Sequence, residues 1–303
     1  MMRAELEHST ALTAEGRGVD MAYLRQWVGK SEQRVERLAA FPADALAATL
    51  DRDDPPFTDG TALPPLWHWL YFLPASGSAG LGADGHPERG GFLPPVPLPR
   101  RMWAGGRVHF HQPLRIGATV RRESRVVSVE HKAGRSGELV FVRVAHAITD
   151  AQGVLLLSEE QDIVYRDAPA PGAAPEKAPS MAPPVDAQWE RSIVPDPVLL
   201  FRYSALTFNS HRIHYDRDYA TGVEGYPGLV VHGPLSATLL IGQLRRALPA
   251  ARISAFSFRA LKPLFDSAPF ALCGATDGGG TSAHLWTRDI DGALTMQAQV
   301  KLS

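Results

Sequence analysis

Each half of this 303-residue chain contains a series of short β-prone runs that follow one another with only a turn between them. Glycine-containing turns separate them, as at 133–137 and 150–153. Strands joined by tight turns pair antiparallel, because parallel strands need a long crossover. The chain is therefore predicted to form antiparallel sheet in both halves. The runs cover 107–112, 119–130, 138–149 and 154–165 in the first half, and 252–261, 269–276, 282–289 and 294–302 in the second.

Helical patterns accompany these runs. The spacing predicts helices at 21–28 and 30–41, and the apolar segment 66–72 is a short element that must be buried. In the second half an extended segment is predicted at 198–208, and a helix begins after Gly233. A proline suits the first helical position, and a leucine stripe at helical spacing is expected to face the core. Each half is thus predicted to be a long helix wrapped by an antiparallel sheet, an α+β class. The stripe comprises Leu235, Leu239, Leu240, Leu244 and Leu248.

A segment rich in proline and alanine divides the chain. Residues 168–187 hold almost nothing large enough to bury, which is typical of a linker. The predicted domains are 1–167 and 188–303. A faint repeat supports two similar halves, because Pro-Leu at 113–114 and at 263–264 ends matching strands 150 residues apart. The loop 74–99, rich in Gly and Pro, is predicted to be a lid, a dimer contact or a surface insertion.

Composition excludes several classes of protein. With 31 basic and 32 acidic side chains the net charge is -1, which argues against nucleic acid as the main partner. The single cysteine, Cys273, cannot form an intrachain disulfide or a cysteine zinc cluster and is expected in the core. No apolar run approaches the length of a membrane span, and no signal-peptide pattern begins the chain. The sequence predicts a cytoplasmic protein without a membrane partner.

The segment 207–216 (TFNSHRIHYD) concentrates chemistry-bearing side chains. His211 and His214 are three residues apart and can lie on one side of a turn, and Asn209 can reach the same space. Neutral imidazole has a pKa near the working pH, so such a pair can hold and deprotonate a water molecule. We interpret this segment as a candidate catalytic site.

The second candidate is the start of the predicted helix. An unpaired N–H at Gly233 and the positive end of the helix dipole can stabilise an oxygen that gains negative charge. The preceding His232 either borders the substrate or is a core histidine held by hydrogen bonds.

The stretch 203–248 resembles the MaoC-type (R)-specific enoyl-thioester hydratase/dehydratase family, whose fold is the hotdog. The family motif is Asp-x-Asn-Pro-x-His, followed some eighteen residues later by a His-Gly helix start. His214 matches the catalytic histidine, and His232-Gly233 matches the helix start. The motif is altered here: Asn209, His211 and Arg212 stand where the family has aspartate, asparagine and proline.

The altered form FNSHRIHYD resembles a narrower, double-hotdog branch, together with PLPRRMWAGGRVHFHQPLRIG at 97–117 and LSEEQDIVYRD at 157–167. That branch includes mesaconyl-CoA and itaconyl-CoA hydratases and 3-hydroxyacyl-thioester dehydratases of type 2. The resemblance implies reversible hydration of an α,β-enoyl thioester of CoA or a carrier protein, with no cofactor and no metal. The second half is expected to carry the catalytic residues, and a homodimer is possible in such a family.

The resemblance also implies roles for individual residues. His214 would deprotonate water, Asn209 would hold that water, and Gly233 would bind the thioester oxygen. The proton for the α-carbon would come from His214, His211 or Asp216, and these alternatives stay open. The expected substrate-binding residues are Arg212, Asp216, His232 and Arg101.

Arg212 suggests the acyl group, because a guanidinium pairs well with a carboxylate. A branched C5 dicarboxylic acyl-CoA, such as mesaconyl-C4-CoA or itaconyl-CoA, is therefore the expected substrate. Alternatively, Arg212 pairs internally with Asp216 or Asp218, or faces a CoA phosphate. Arg100 and Arg101 are either phosphate ligands or part of a solvated turn.

Other functions remain as alternatives. A fatty-acid type dehydratase would use the same residues, whereas a hotdog thioesterase would need a carboxylate, for which Asp216 is the candidate. A non-catalytic acyl-thioester binding protein is also compatible with the altered motif. A serine hydrolase lacks the Gly-x-Ser-x-Gly elbow, and a metal site built from His211, His214 and His232 lacks a completing carboxylate.

Overall fold

The computed structural model describes residues 18–134, 137–167, 181 and 186–303. Within them, ten strands form one antiparallel sheet in the order β1-β3-β4-β5-β2-β7-β10-β9-β8-β6. The first five strands lie in the first half and the other five in the second. They are β1 (Ser31–Arg37), β2 (Arg100–Phe110), β3 (Thr119–Gly134), β4 (Gly137–Thr149), β5 (Leu155–Arg166), β6 (Trp189–Ile193), β7 (Ile253–Ala260), β8 (Phe270–Thr276), β9 (Ser282–Arg288) and β10 (Leu294–Leu302).

The strand order has the same pattern from either end, so the two halves are related by a repeat. They meet where β2 pairs with β7, and Gly105 and Gly106 face Arg259 and Phe258 there. A Cβ at Gly105 would lie 2.6 Å from the Phe258 carbonyl oxygen, so glycine permits this close approach. The eight strands predicted from the sequence are all present, with boundaries extended most at β2.

Two equivalent hydrogen bonds confirm the faint repeat in the sequence. The Leu63 N–H donates to the Leu114 carbonyl at 2.7 Å, and the Val231 N–H donates to the Leu264 carbonyl at 2.8 Å. Leu114 and Leu264 are both buried in one apolar core that extends through both halves. The two acceptors thus keep the 150-residue offset seen in the sequence, whereas the donors, Leu63 and Val231, are 168 residues apart.

Four α-helices lie among the described residues: α1 (Met21–Leu24), α2 (Ala40–Thr49), α3 (Pro197–Leu206) and α4 (Gly233–Ala247). Helix α4 is the long helix predicted after Gly233 and begins one residue earlier, at Gly233 itself, and its leucines at 235, 239, 240 and 244 are buried. The 21–28 helix is confirmed as α1 followed by a 3-10 turn at Arg25–Trp27. Cys273 is buried, as expected.

Three predicted elements were wrong. Residues 30–41 contain strand β1, because alternate side chains are exposed and the segment pairs with β3 at the sheet edge. Residues 198–208 are helix α3 rather than an extended segment, since Asp196 accepts the N–H groups of Val198 and Leu199 and Pro197 occupies the first turn.

The third concerns the helix of the first half. The apolar segment 66–72 is a short buried element, as predicted, but it forms only a 3-10 turn at Trp67–Leu70 and no long helix, and left-handed backbone bounds it at Leu66 (φ 70°) and Phe72 (φ 57°). A long central helix is therefore a feature of the second half alone among the described residues. The predicted linker at 168–187 lies almost wholly outside the described residues. No helix among those described is long and apolar enough to cross a membrane.

Candidate active site

A cavity of about 970 Å³ lies where the two halves meet. His86, Arg101 and Trp103 border it from the first half, and Tyr203, His214 and Gly233 border it from the second. The cavity therefore contains both sequence candidates, the 207–216 motif and the start of α4. It is large enough for the acyl and thioester part of an acyl-CoA.

The motif follows α3 through a tight turn. Phe208 adopts a left-handed backbone (φ 48°), and the Asn209 N–H donates to the Ser204 carbonyl. The side-chain oxygen of Asn209 accepts the His211 N–H at 3.1 Å, which forms a local Asx turn. Asn209 borders the cavity, and its amide nitrogen is left to donate a hydrogen bond there.

His214 is positioned as a base. Its Nδ1 lies 2.7 Å from the Val230 carbonyl oxygen, which can only accept, so Nδ1 carries the proton and Nε2 keeps its lone pair. Burial lowers the pKa of His214, the bond to Val230 opposes this, and the His86 imidazole adds to the lowering, so that the pKa is about 4. The imidazole is therefore neutral at neutral pH and can accept a proton.

His232 supports that ring. The two imidazoles are stacked, with centroids 3.7 Å apart and planes 18° from parallel. Nε2 of His232 lies 2.8 Å from the Ser204 hydroxyl, and Nδ1 is buried without a partner in the described chain. Burial holds the pKa of His232 well below its usual value, with His214 and His211 adding to the effect. His232 borders the cavity and also acts as a core histidine, which combines both interpretations of it.

Gly233 is the first residue of α4, so its N–H has no partner within the helix. The nearest atom to a Cβ at this position would be the Trp103 carbonyl oxygen, at 3.8 Å. Open space thus surrounds the start of the helix, where the N–H and the dipole favour a negatively charged oxygen.

Arg212 and Asp216 lie away from the cavity walls. Arg212 donates Nε and Nη2 to the Asp216 carboxylate at 2.9 and 2.7 Å, and its guanidinium covers the Tyr219 ring. The Tyr219 N–H and the Arg212 guanidinium together lower the pKa of Asp216. Both residues were expected to bind substrate. The structure instead pairs them with each other, which was the alternative considered for Arg212.

The sequence analysis missed two residues of the 74–99 loop, Asp84 and His86. The Asp84 carboxylate accepts the backbone N–H of His86 and lies 3.0 Å from its Nδ1. The His86 ring lies 4.0 Å from the His211 ring, which is 5.4 Å from that of His214. Burial, with His86 and His214 nearby, lowers the pKa of His211 to about 2. Four uncharged imidazoles thus form a row, with His232 at its far end.

This loop is fastened to the motif. The Arg212 N–H donates to the Asp84 carbonyl at 2.9 Å, and the Ser210 hydroxyl donates to the Gly85 carbonyl. Gly85 has a left-handed backbone, and a Cβ there would lie 1.9 Å from the Ser210 carbonyl oxygen. The Gly/Pro-rich composition had left a lid, a dimer contact and a surface insertion open, and it did not indicate which residues the loop brings into the site.

Asp84, His86 and His211 also satisfy the spacing of metal ligands, since their ligand atoms lie within 4.8 Å of one another. This set differs from the three histidines considered in the sequence. Both carboxylate oxygens of Asp84 already accept hydrogen bonds from His86. The cluster is therefore built as a hydrogen-bonded carboxylate–imidazole pair.

The far wall of the cavity is polar. Glu159 is buried and accepts hydrogen bonds from Trp69 at 2.9 Å and from Gln161 at 3.0 Å, and it lies 3.1 Å from Nε2 of His68. Burial raises the pKa of this carboxyl, but His68, His146 and Gln161 together lower it to about 2. Trp69 in turn meets Trp103 edge to face, with centroids 4.9 Å apart. The charged Glu159 thus holds the aromatic wall that faces Gly233.

Comparisons with known proteins agree with this geometry. The family model for "Hydroxyacyl-thioester dehydratase type 2" matches residues 66–266. Mesaconyl-C(4)-CoA hydratase of Chloroflexus aurantiacus is 51% identical over 276 residues, covering 91% of this chain and 96% of the relative. The mitochondrial hydroxyacyl-thioester dehydratase type 2 of Schizosaccharomyces pombe is 31% identical and covers 84% of this chain and 93% of the relative.

Solved structures agree on the fold. A MaoC-like dehydratase has a TM-score of 0.66 at 15% identity and covers 91% of this chain and 98% of its own. A double-hotdog protein from Mycobacterium tuberculosis has a TM-score of 0.56 at 14% identity, covering 91% of this chain and 96% of its own. The predicted double-hotdog, α+β fold is thereby confirmed.

Proposed function

This chain belongs to the hydroxyacyl-thioester dehydratase type 2 family, and from that premise we propose that it reversibly adds water to a branched C5 dicarboxylic enoyl-CoA. One observation carries the proposal: a buried imidazole with a free Nε2, on His214, is stacked on the residue that precedes the α4 N-terminus. A base and an oxyanion site are thus adjacent. The similarity to mesaconyl-C(4)-CoA hydratase supports the acyl group.

In the hydration direction, His214 Nε2 takes a proton from water while the water oxygen bonds to the β-carbon. The π electrons move to the thioester oxygen, where the Gly233 N–H stabilises the enolate. The amide nitrogen of Asn209 holds the water. The enolate then collapses as the α-carbon takes a proton, and the C=C bond has gained the elements of water.

We assign that second proton to His214 itself. Once protonated, its imidazolium is acidic at neutral pH because burial holds its pKa near 4. It therefore returns the proton to the α-carbon rather than keeping it. Asp216, one of the alternatives, is engaged by Arg212 outside the cavity, and His211 is still harder to protonate than His214.

A fatty-acid type dehydratase is the second candidate, supported by the family description and the fission-yeast relative. The far wall of the cavity favours the dicarboxylic substrate, because Arg122, His146 and Glu159 border it. A long apolar acyl chain against these groups would remove them from water without new hydrogen bonds. A thioesterase is disfavoured because its candidate carboxylate, Asp216, lies outside the cavity.

The test is the loss of enoyl-thioester absorbance with mesaconyl-C4-CoA and with crotonyl-CoA, while thiol release is monitored. We expect hydration of the dicarboxylic thioester without thiol release. His214→Ala should lose about 100-fold or more in kcat, whereas His109→Ala, an exposed histidine outside the cavity, should keep wild-type turnover. Near-normal turnover by His214→Ala would contradict the assigned base, and release of thiol would indicate a thioesterase.

A further inference from the structure

Five lysine and arginine side chains border the cavity, and four of them are engaged by the protein. Lys262 donates to the Asp289 carboxylate at 2.6 Å. Arg89 donates to three backbone carbonyls of its own loop, at residues 96, 98 and 99. Arg34 and Arg122 both lie near the Glu32 carboxylate, at 3.6 and 3.8 Å, and Arg34 also donates to the Leu73 carbonyl.

Arg101 is the exception. Within the part of the chain that the structure describes, its guanidinium forms no ion pair with a carboxylate, and the Tyr165 hydroxyl beside it is its hydrogen-bonding neighbour. Asp84 is ionised and lies beside the imidazoles of His86 and His211. Its carboxylate is bound to His86 rather than to Arg101. A half-buried cation without a counter-ion is unfavourable, and an anionic ligand would relieve that cost.

Tyr165 cannot neutralise this charge. It lies opposite Arg101 in the β2–β5 pairing, and its buried hydroxyl has no other hydrogen-bonding neighbour in the described chain. Burial raises the pKa of Tyr165, although Arg101 and Arg89 oppose the rise. The phenol therefore stays uncharged at neutral pH. The Arg89 guanidinium also lies over the same ring, 5.3 Å from its centroid, so the surroundings of Arg101 are positive.

The spacing between Arg101 and the proposed oxyanion site matches the length of a short dicarboxylic acyl chain. Arg101 and Trp103 are two residues apart on β2, so they face the same side of the sheet, about 7 Å apart along the strand. The Trp103 carbonyl is the protein atom nearest to a Cβ on Gly233. The charge of Arg101 also acts on His86 and His211, lowering the pKa of both. Arg101 therefore lies at the acyl end of the site, near the proposed oxyanion N–H.

We propose that Arg101 binds the free carboxylate of the acyl chain and so selects dicarboxylic enoyl thioesters, a role that rests on the proposed hydratase function. The planar guanidinium offers two parallel N–H groups to a carboxylate, which gives both strength and orientation. The phosphates of CoA are the other anionic source. The pantetheine arm separates them from the thioester, whereas Arg101 borders the same cavity as His214 and its charge acts on His86 and His211.

The test compares kcat/KM for mesaconyl-C4-CoA and crotonyl-CoA in Arg101→Gln, Arg101→Lys and a control, Arg121→Gln, on the exposed face of β3. Loss of a charged hydrogen-bonded contact predicts a fall of about 10- to 100-fold for the dicarboxylic substrate in Arg101→Gln. The fall for crotonyl-CoA should be much smaller. Arg101→Lys should recover part of the preference for the dicarboxylic substrate, because lysine keeps the charge but lacks the two parallel N–H groups. The control should match the wild type.

Equal falls on both substrates, or no fall on either, would overturn the proposal. A fall that disappears when the same acyl groups are presented as pantetheine thioesters would place a CoA phosphate at Arg101 instead. If the wild type hydrates neither substrate, the hydratase function fails separately. Calorimetry then still decides the role of Arg101: mesaconyl-C4-CoA should bind more tightly than crotonyl-CoA to the wild type, and equally to Arg101→Gln.

Discussion

Replacing Gly85 by alanine tests whether the 74–99 loop and the 207–216 motif form one unit. Gly85 has a φ of +86°, which costs an L-residue about 1–2 kcal/mol. The new Cβ would also lie 1.9 Å from the Ser210 carbonyl oxygen, and only a shift of backbone can relieve this contact. That shift breaks the hydrogen bonds from Arg212 N–H to Asp84 and from the Ser210 hydroxyl to Gly85, each worth about 1 kcal/mol.

The expected loss is therefore about 3–4 kcal/mol of unfolding free energy, measured by urea denaturation. Gly153→Ala is the matched control, because its φ is +84° and nothing lies within 4 Å of its Cβ position. It should lose only the backbone cost, about 1–2 kcal/mol. Displacement of His86 and the motif by about 1 Å should also lower kcat/KM on the order of 100-fold in Gly85→Ala, and Gly153→Ala should retain wild-type activity.

The reasoning would be refuted if both variants lost the same stability and both kept full activity. In that case the loop would adjust without moving the motif, and Asp84 and His86 would not belong to the site. Loss of stability without loss of activity would separate the two claims, because it would show that the contact is real but does not position the catalytic residues.

Three further outcomes follow from the charges in and near the site. The native pKa values of His146 and His214 are both about 4, below that of a free imidazole. The unfolded chain therefore binds more protons as the pH falls from about 6.5 to about 4, and stability measured by denaturation should drop by about 1.4 kcal/mol per pH unit for each imidazole. Glu159→Gln should cost about 2–3 kcal/mol, because it removes the charged acceptor of a buried network. Glu160 forms a half-exposed ion pair with Arg107, so Glu160→Gln should lower the free energy of unfolding by less than about 1 kcal/mol, as measured by urea denaturation. Arg212→Gln should leave the preference between mesaconyl-C4-CoA and crotonyl-CoA as in the wild type, and a selective loss would place the carboxylate site at Arg212 rather than Arg101.

Local patterns in the sequence were sufficient for most of the sheet and for α4. The alternation of apolar and polar side chains and the turn residues between strands are visible in short stretches of sequence. Pro234 likewise marks the start of a helix whose leucine spacing is regular. They failed at β1 and α3, where local spacing was ambiguous. At β1 pairing with β3 prevailed over helical spacing, and at α3 the Asp196 cap determined the start of the helix.

The candidate site was predictable only in part for a different reason. His214, His232 and Gly233 are close in sequence and fit a known motif, so their convergence could be expected. Asp84 and His86 are more than 120 residues from His211 in the sequence. No periodic pattern of residue types predicts a contact between positions so far apart. Arg101 was expected among the substrate-binding residues, but the carboxylate-binding role proposed for it depends on the lack of a counter-ion in the described part of the folded chain, which the sequence does not show.

The altered motif is explained by this long-range contact. Three neighbouring positions of the Asp-x-Asn-Pro-x-His pattern contact the loop at 83–86. They are Ser210, at an unspecified position of the motif, His211, which replaces the asparagine, and Arg212, which replaces the proline. A proline at position 212 could not donate the N–H that binds the Asp84 carbonyl, so the loop requires a residue other than proline there before any substrate is considered. The carboxylate missing at position 209 has a counterpart in Asp84, which reaches the imidazole row from the other half of the chain. It follows that restoring the family motif alone, as in Asn209→Asp with Arg212→Pro, should release the loop and lower activity rather than raise it, a result that kcat/KM of the double variant would decide.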